Sequence, residues 1–257
     1  MKNTNASCFD FAGKWVMVTG ASSGIGSAIA IELSRHGARL ILSGRDEERL
    51  ARTLRQLEHT GHQILAIDLR DHGGLFATIS SLRERVGPLY GICHSAGVVE
   101  TRPLSANSVN ILQGILDVNL IAAFELTRAV CHRSVMDGGG GSVVFISSVY
   151  AHVGMPAQSA YSASKGAICA VVRALAVELA RRRIRVNSIS PGLVETDMAK
   201  KSFELLSREQ IEQLRNAHPL GVGTPEDVAR AAVFLLAPEN RWITGIDLRV
   251  DGGLSAQ

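Results

Sequence analysis

Tyr161 and Lys165 stand four residues apart in Tyr161-Ser162-Ala163-Ser164-Lys165, a spacing that sets both on one helix face. A phenol with a pKa of about 10 neither gives nor takes a proton readily at neutral pH. A neighbouring ammonium favours the phenolate, and an opposite charge within a few ångströms lowers a pKa by roughly 1–3 units. The pair suits general acid–base chemistry at a carbonyl or hydroxyl oxygen. Taken singly, the tyrosine reads as packing and the lysine as a solvated helix face. A second chemical feature follows the first apolar run: Thr19-Gly20-Ala21-Ser22-Ser23-Gly24-Ile25-Gly26. Glycines there permit a tight turn and close backbone approach to a pyrophosphate. A helix opening at that point adds unpaired N–H groups and partial positive charge.

The elements that must position these groups alternate along the chain. Short apolar runs at 15–18, 39–43, 63–67, 89–93, 142–147, 185–189 and 246–250 read as strands buried on both faces. Amphipathic stretches lie between them, among them 25–36, 47–58 and 161–182. Strand–helix alternation predicts parallel pairing, right-handed crossovers and helices on both faces of one sheet. No interdomain linker interrupts the rhythm. Residues 1–10 read as a tail and 11–257 as a single domain. The polar segment 195–219 is an insertion of the kind that forms binding loops or lids.

Several motifs together resemble the short-chain dehydrogenase/reductase family, from about residue 11 to 253. The glycine turn has that family's T-G-x-x-x-G-x-G spacing, and Tyr161 to Lys165 its Y-x-x-x-K. Ser148 lies thirteen residues before the tyrosine, and Asn119 sits in Asp117-Val118-Asn119-Leu120. Pro191-Gly192-Leu193-Val194-Glu195-Thr196, Pro225-Glu226-Asp227 and Asp251-Gly252-Gly253 resemble its later signatures. The resemblance implies a Rossmann-type, doubly wound α/β fold of about seven parallel strands with helices on both faces. It implies hydride transfer between a nicotinamide cofactor and a ketone or secondary alcohol. Tyr161 would be the proton donor or acceptor, with Ser148 bonding the same oxygen. Asn119 would hold a water that leads from Lys165 to solvent, and Lys165 would also bind the nicotinamide ribose. Thr196 and Val194 would meet the carboxamide. Gly20, Ser22, Ser23, Gly24, Ile25 and Gly26 would cradle the phosphates. Asp68 and Leu69 would lie by the adenine, Ala96 and Gly97 by a ribose, and Pro191 and Gly192 beside them. Asp68 reads equally as a helix cap. One element departs from the pattern: His94-Ser95-Ala96-Gly97 stands where the family has N-N-A-G. It reads as a structural substitution.

The second strand run ends in Gly44-Arg45, where NAD enzymes place a carboxylate for the ribose 2′-OH. Arg45 offers a planar fork suited to a 2′-phosphate, so NADP(H) is expected over NAD(H). Asp46, Glu47 and Glu48 are rivals that read better as the acidic first turn of the next helix. The substrate would be a small carbonyl or alcohol, an acyl thioester on a carrier protein or coenzyme A among them. A non-catalytic nucleotide sensor is the rival class.

Composition narrows the rest. The chain has 257 residues, 46% of them hydrophobic, with 27 basic against 24 acidic side chains. That supports a sizeable core and gives no nucleic-acid signature. The cluster Arg181-Arg182-Arg183 with Arg185 reads as a solvated helix end. Cys8, Cys93, Cys131 and Cys169 form no C-x-x-C pair and read as reduced thiols in a cytoplasmic protein. No apolar run of membrane-spanning length is evident. His132, His152 and His218 lack metal-ligand spacing, so no metal is expected; His152 reads as a pocket-lining or surface residue. A sheet-edge last strand, and apolar Ile168, Val171, Val172, Leu175 and Val177 on the 161–182 helix, predict a homotetramer, with a dimer as the alternative.

Overall fold

Each apolar run is a strand because helices cover both of its faces, leaving no polar side to alternate with. The computed structural model describes residues 9–136, 138–204 and 206–257; Cys8 and most of the expected tail lie outside them. The strands are β1 (Trp15–Thr19), β2 (Arg39–Gly44), β3 (Gln63–Ala66), β4 (Leu89–His94), β5 (Gly141–Ile146), β6 (Ile184–Pro191) and β7 (Asp247–Val250). They form one parallel sheet in the order β3-β2-β1-β4-β5-β6-β7. The order reverses between β1 and β4, and the crevice at such a switch point is where doubly wound sheets bind ligands.

The pleat divides the core in two. Val16, Val18, Leu40, Leu42 and Val144 face α1 (Gly24–Arg35), α2 (Glu47–Leu54) and, further along the chain, the helix Pro225–Leu236. Trp15, Met17, Ile41, Ile92 and Phe145 face α3 (Leu75–Val86), α5 (Ala122–Val130) and α6 (Ser159–Leu179), while α4 (Val109–Leu116) lies against α6. The 195–219 segment folds as α7 (Asp197–Phe203) and α8 (Arg208–Asn216), and Pro225–Leu236 is α9. Ser207 with Gln210 and Thr224 with Asp227 form capping boxes that start α8 and α9.

The structure corrects three expectations. Residues 109–130 run as one continuous helical rod, α4 joined to α5 through a π turn at Asp117–Ile121. By length and composition alone these 22 residues could span a membrane, contrary to the reading above. Here α5 instead contributes Ala122, Leu126, Ala129 and Val130 to the core. Arg185 is not part of a solvated helix end. It is buried, donating to the Leu235, Leu236 and Ala237 carbonyls at 2.6, 3.0 and 2.9 Å, where it satisfies the orphan carbonyls at the end of α9. Arg182 donates to the Cys131 carbonyl, leaving Arg181 and Arg183 exposed. On α6, Ile168 and Val172 are buried in the core and Leu175 packs against it. Only Val177 of the five apolar residues is fully exposed, at 79%. β7 does lie at the sheet edge.

Candidate active site

The ends of β4, β5 and β6 and the first turns of α6 converge on one crevice. Ser148 leaves β5 and opens a 3-10 turn, its Oγ accepting from the Tyr150 N–H at 3.2 Å. The same hydroxyl is close enough to the Tyr161 phenol to oppose part of the effect of burial on it. Lys165, one turn along α6, is buried and donates from Nζ to the Ile146 carbonyl at 2.8 Å, with Nζ 5.5 Å from the Tyr161 ring centroid. Burial pushes the Tyr161 phenol up to about 12, against the opposing effect of Ser148, and lowers the Lys165 ammonium to about 8. The expectation that Lys165 draws the phenol down is therefore not met. Desolvation of the phenolate wins, and Tyr161 is held as a protonated donor at neutral pH.

Asn119 sits in the π turn and is fully engaged. Its Oδ1 accepts from the Val98 N–H at 2.8 Å, and its Nδ2 donates to the Val98 carbonyl at 2.9 Å and to Ser164 Oγ at 3.0 Å. It thus ties the chain leaving β4 to α6 beside Lys165. A Cβ on Gly97 would lie 3.3 Å from Asn119 Oδ1 and 3.6 Å from Lys165 Nζ, so the passage between them admits only a small residue.

The glycine turn fits a dinucleotide. Gly20 has φ +67, and a Cβ there would meet the backbone of Ala96 at 2.8 Å. A Cβ on Gly26 would come within 2.3 Å of the Gly20 carbonyl oxygen. Ser23, the N-cap of α1, makes no side-chain capping bond, so N–H groups around Gly24 and Ile25 remain open to an anion. They border a cleft of about 510 Å³ lined by Ser22, Ser23, Arg49 and Arg52, with Asp197 closing it at 3.6 Å from Arg49. Thr196 caps α7, accepting from the Ala199 N–H at 3.2 Å, and its methyl faces Gly24. Val194 is held by a bridge to Gly223.

At the end of β2, Arg45 is exposed and has no hydrogen bond or ion pair among the described residues. Asp46 instead caps α2, accepting from the Arg49 N–H at 3.0 Å, with Glu47 and Glu48 in the first turn. Asp68 pairs with Arg70 at 2.5 Å, and that contact holds its carboxyl at about 2, with Arg45 adding to the effect. Asp68 is not a helix cap: α3 begins at Leu75 behind Gly74. Leu69 turns into the core.

Residues 20–255 match the family model described as enoyl-(acyl carrier protein) reductase. The chain belongs to the short-chain dehydrogenase/reductase family. It is 32% identical to the 3-oxoacyl-(acyl-carrier-protein) reductase FabG of Chlamydia pneumoniae, over 95% of this chain and 97% of that one. It is 30% identical to an NADP-dependent (R)-specific alcohol dehydrogenase of Lentilactobacillus kefiri, over 95% and 98%. A Beutenbergia cavernae protein assigned as an NAD(P)-dependent gluconate 5-dehydrogenase, solved with NADP at low occupancy, superposes with a TM-score of 0.89. That match has 32% identity and covers 97% of this chain and 99% of the other. The chain is thus an oxidoreductase of a family that uses NAD(P), on the fold expected from its motifs.

In this short-chain dehydrogenase/reductase His94 is a packed residue of β4. The ring stacks on Phe145 at 4.6 Å between centroids. Thr127 gives its hydroxyl proton to the Ala123 carbonyl, so His94 Nε2 is the donor to Thr127 Oγ1 at 2.9 Å, and Nδ1 has no partner among the described residues. Burial pushes the imidazole down to about 3, fixing it as a neutral strut between β4 and α5. Cys93, its neighbour, points into the opposite core layer, so the two do not form a reactive pair. Thr19 Oγ1 secures the following residues, accepting from the Ser95 and Ala96 N–H groups at 3.2 and 3.1 Å.

His218 is a residue whose role spacing alone did not disclose. It is buried, accepting at Nε2 from the Leu193 N–H at 3.0 Å and donating from Nδ1 to the Leu214 carbonyl at 2.8 Å. It clamps the Pro191-Gly192 segment to α8; a Cβ on Gly192 would lie 2.8 Å from its ring nitrogen. His152, read as pocket-lining or superficial, is exposed and also bonds Asp247 at 2.7 Å beside Cys169.

Proposed function

We propose that this short-chain dehydrogenase/reductase interconverts a ketone and a secondary alcohol using NADP(H), with Asn119, Ser148, Tyr161 and Lys165 as its reacting group. The observation that carries the reading is the gathering of these side chains at one crevice, with Lys165 Nζ 5.5 Å from the Tyr161 ring centroid and Asn119 bonded to Ser164 beside it. When bound, the cofactor supplies or accepts the hydride. Ser148 then orients the substrate oxygen. Tyr161 gives that oxygen its proton in reduction and takes it back in oxidation. Lys165 sits behind it as the nearest cation, and Asn119 holds the turn that keeps Lys165 in place.

Preference for NADP(H) rests on the contrast at the end of β2, where Arg45 is free and Asp46 is spent on a cap. Gly20 through Gly26 and Ala96-Gly97 serve as the cradle, with Asp68, Leu69, Pro191, Gly192, Val194 and Thr196 around it. Residues 11–257 act as one cytoplasmic domain, with 195–219 as its substrate loop. Arg45→Ala tests the cofactor assignment by direct titration. NADPH binding should weaken by roughly 1.5–3 kcal/mol, as for a lost charge-assisted hydrogen bond, with NADH little changed. Equal losses would assign Arg45 a structural role.

A 3-oxoacyl thioester is the second reading of the substrate, favoured by the similarity to carrier-protein reductases. An acetoacetyl thioester in a panel of ketones, scored by NADPH consumption, separates it from free ketones. No turnover across the panel would favour a nucleotide sensor instead.

A further inference from the structure

His152 Nε2, Cys169 Sγ and a carboxylate oxygen of Asp247 lie within 4.8 Å of one another. They come from three places in the chain: the exit of β5, the third turn of α6 and the start of β7. His152 Nε2 is 2.7 Å from Asp247 Oδ2, 4.0 Å from Cys169 Sγ and 3.4 Å from Ser190 Oγ. A proton relay would set the carboxylate on one ring nitrogen and the thiol on the other. Here both crowd the same nitrogen, so no relay runs through the imidazole. Donor atoms that converge on one point are what a cation requires.

From this geometry we propose that His152, Cys169 and Asp247 form a zinc site, with water or Ser190 in the fourth position. Tetrahedral zinc has bonds of about 2.0–2.3 Å, which puts neighbouring ligand atoms roughly 3.3–3.6 Å apart. The observed separations are 2.7 and 4.0 Å, with none above 4.8 Å, so shifts of roughly half an ångström in these side chains would bring them to those edges. One nitrogen, one sulfur and one oxygen make a mixed set that suits a borderline metal and not magnesium or calcium. The surrounding contacts already orient the ligands, as outer-shell partners of metal sites do. Ser188 donates to the other carboxylate oxygen of Asp247 at 2.6 Å, and Ser147 Oγ lies 3.4 Å from Cys169 Sγ. The His152 side chain is 24% exposed and Asp247 15%, which leaves an entry path.

The position gives the metal a structural task. His152 follows Ser148 by four residues, and Cys169 follows Lys165 by four. Ser147 also donates to the Lys165 carbonyl at 3.0 Å. A bound cation would staple the segments carrying Ser148 and Tyr161 to the edge strand β7. This inference does not depend on which substrate or cofactor is used.

Cobalt(II) is the probe, titrated into chelator-treated full-length protein. One equivalent should bind with a thiolate-to-cobalt charge-transfer band, and zinc should displace it. Cys169→Ser should abolish the band, and His152→Gln or Asp247→Asn should weaken binding at least about tenfold. Cofactor titration of each variant reports whether it is folded. Zinc should raise the unfolding temperature of the parent chain and not of Cys169→Ser. No band in the parent, or a band that survives Cys169→Ser, overturns the proposal, the latter by placing the metal on another cysteine.

Discussion

Lys165 shares a helix face with Tyr161, yet its ammonium donates to the Ile146 carbonyl and stands 5.5 Å from the tyrosine ring centroid. The lysine therefore positions more than it ionises. The phenol, raised by burial, keeps its proton. Tyr161→Phe removes that proton and little else. Turnover should fall roughly 10²–10⁴-fold while NADPH affinity stays close to the parent value. Single-turnover rates and fluorescence titration of NADPH check the two halves; unchanged chemistry would remove Tyr161 from the reaction.

His94 predicts a pH signature in stability. Its folded pKa of about 3 lies below the unfolded value of 6.5, so below pH 6.5 the unfolded chain binds a proton that the folded chain refuses. The contribution is intact above pH 6.5 and is lost as pH falls toward 3, at about 1.4 kcal/mol per pH unit. Urea unfolding between pH 6.5 and 4.5 should show a slope about one proton steeper for the parent than for His94→Asn. Parallel slopes would mean the ring is hydrated.

His218→Ala leaves the Leu193 N–H without its acceptor inside the molecule. An unmade buried hydrogen bond costs about 1–3 kcal/mol, so unfolding free energy should drop by that amount. Cofactor affinity should drop with it, because the Pro191-Gly192 segment loses its clamp to α8. Urea titrations with and without NADPH separate the two effects. A stable variant with normal affinity would reduce His218 to packing.

Assembly is predicted by the open edge of β7 together with Val177 at 79% and Trp242 at 89% exposure. Covering an edge strand against a symmetry mate removes an aggregation hazard, and a dihedral tetramer uses two such surfaces. Sedimentation equilibrium at micromolar protein should return four times the 27.4 kDa chain mass. A monomer would refute the assembly. A dimer would leave β7 with a different cover.

What could be read from the residues in advance was local. The glycine turn, the Tyr161–Lys165 spacing and the seven apolar runs each announce themselves within a few positions, and each stands where it was expected. Arg185 could not be read that way. Its acceptors are carbonyls about fifty residues on, and only the docked end of α9 makes burial of a guanidinium tolerable. The same holds for His94, whose donor state is decided by Thr127. His218 takes its task from Leu193, and the phenol of Tyr161 takes its charge from burial and not from the cation nearest in sequence.

The π turn at Asp117–Ile121 puts the two halves of the rod out of phase. One surplus residue in a 3.6-residue turn rotates everything beyond it by about 100°. α4 can then lie against α6 while α5 lies against α3 and β4. The rod behaves as a crankshaft with two throws, and Asn119 sits on the offset. A single-residue deletion between 117 and 121 would straighten the shaft and could keep full helicity. It would swing either the amide away from Val98 and Ser164 or the α5 face away from the sheet. Length along this stretch is therefore constrained to the residue, as strictly as the identity of Asn119 itself.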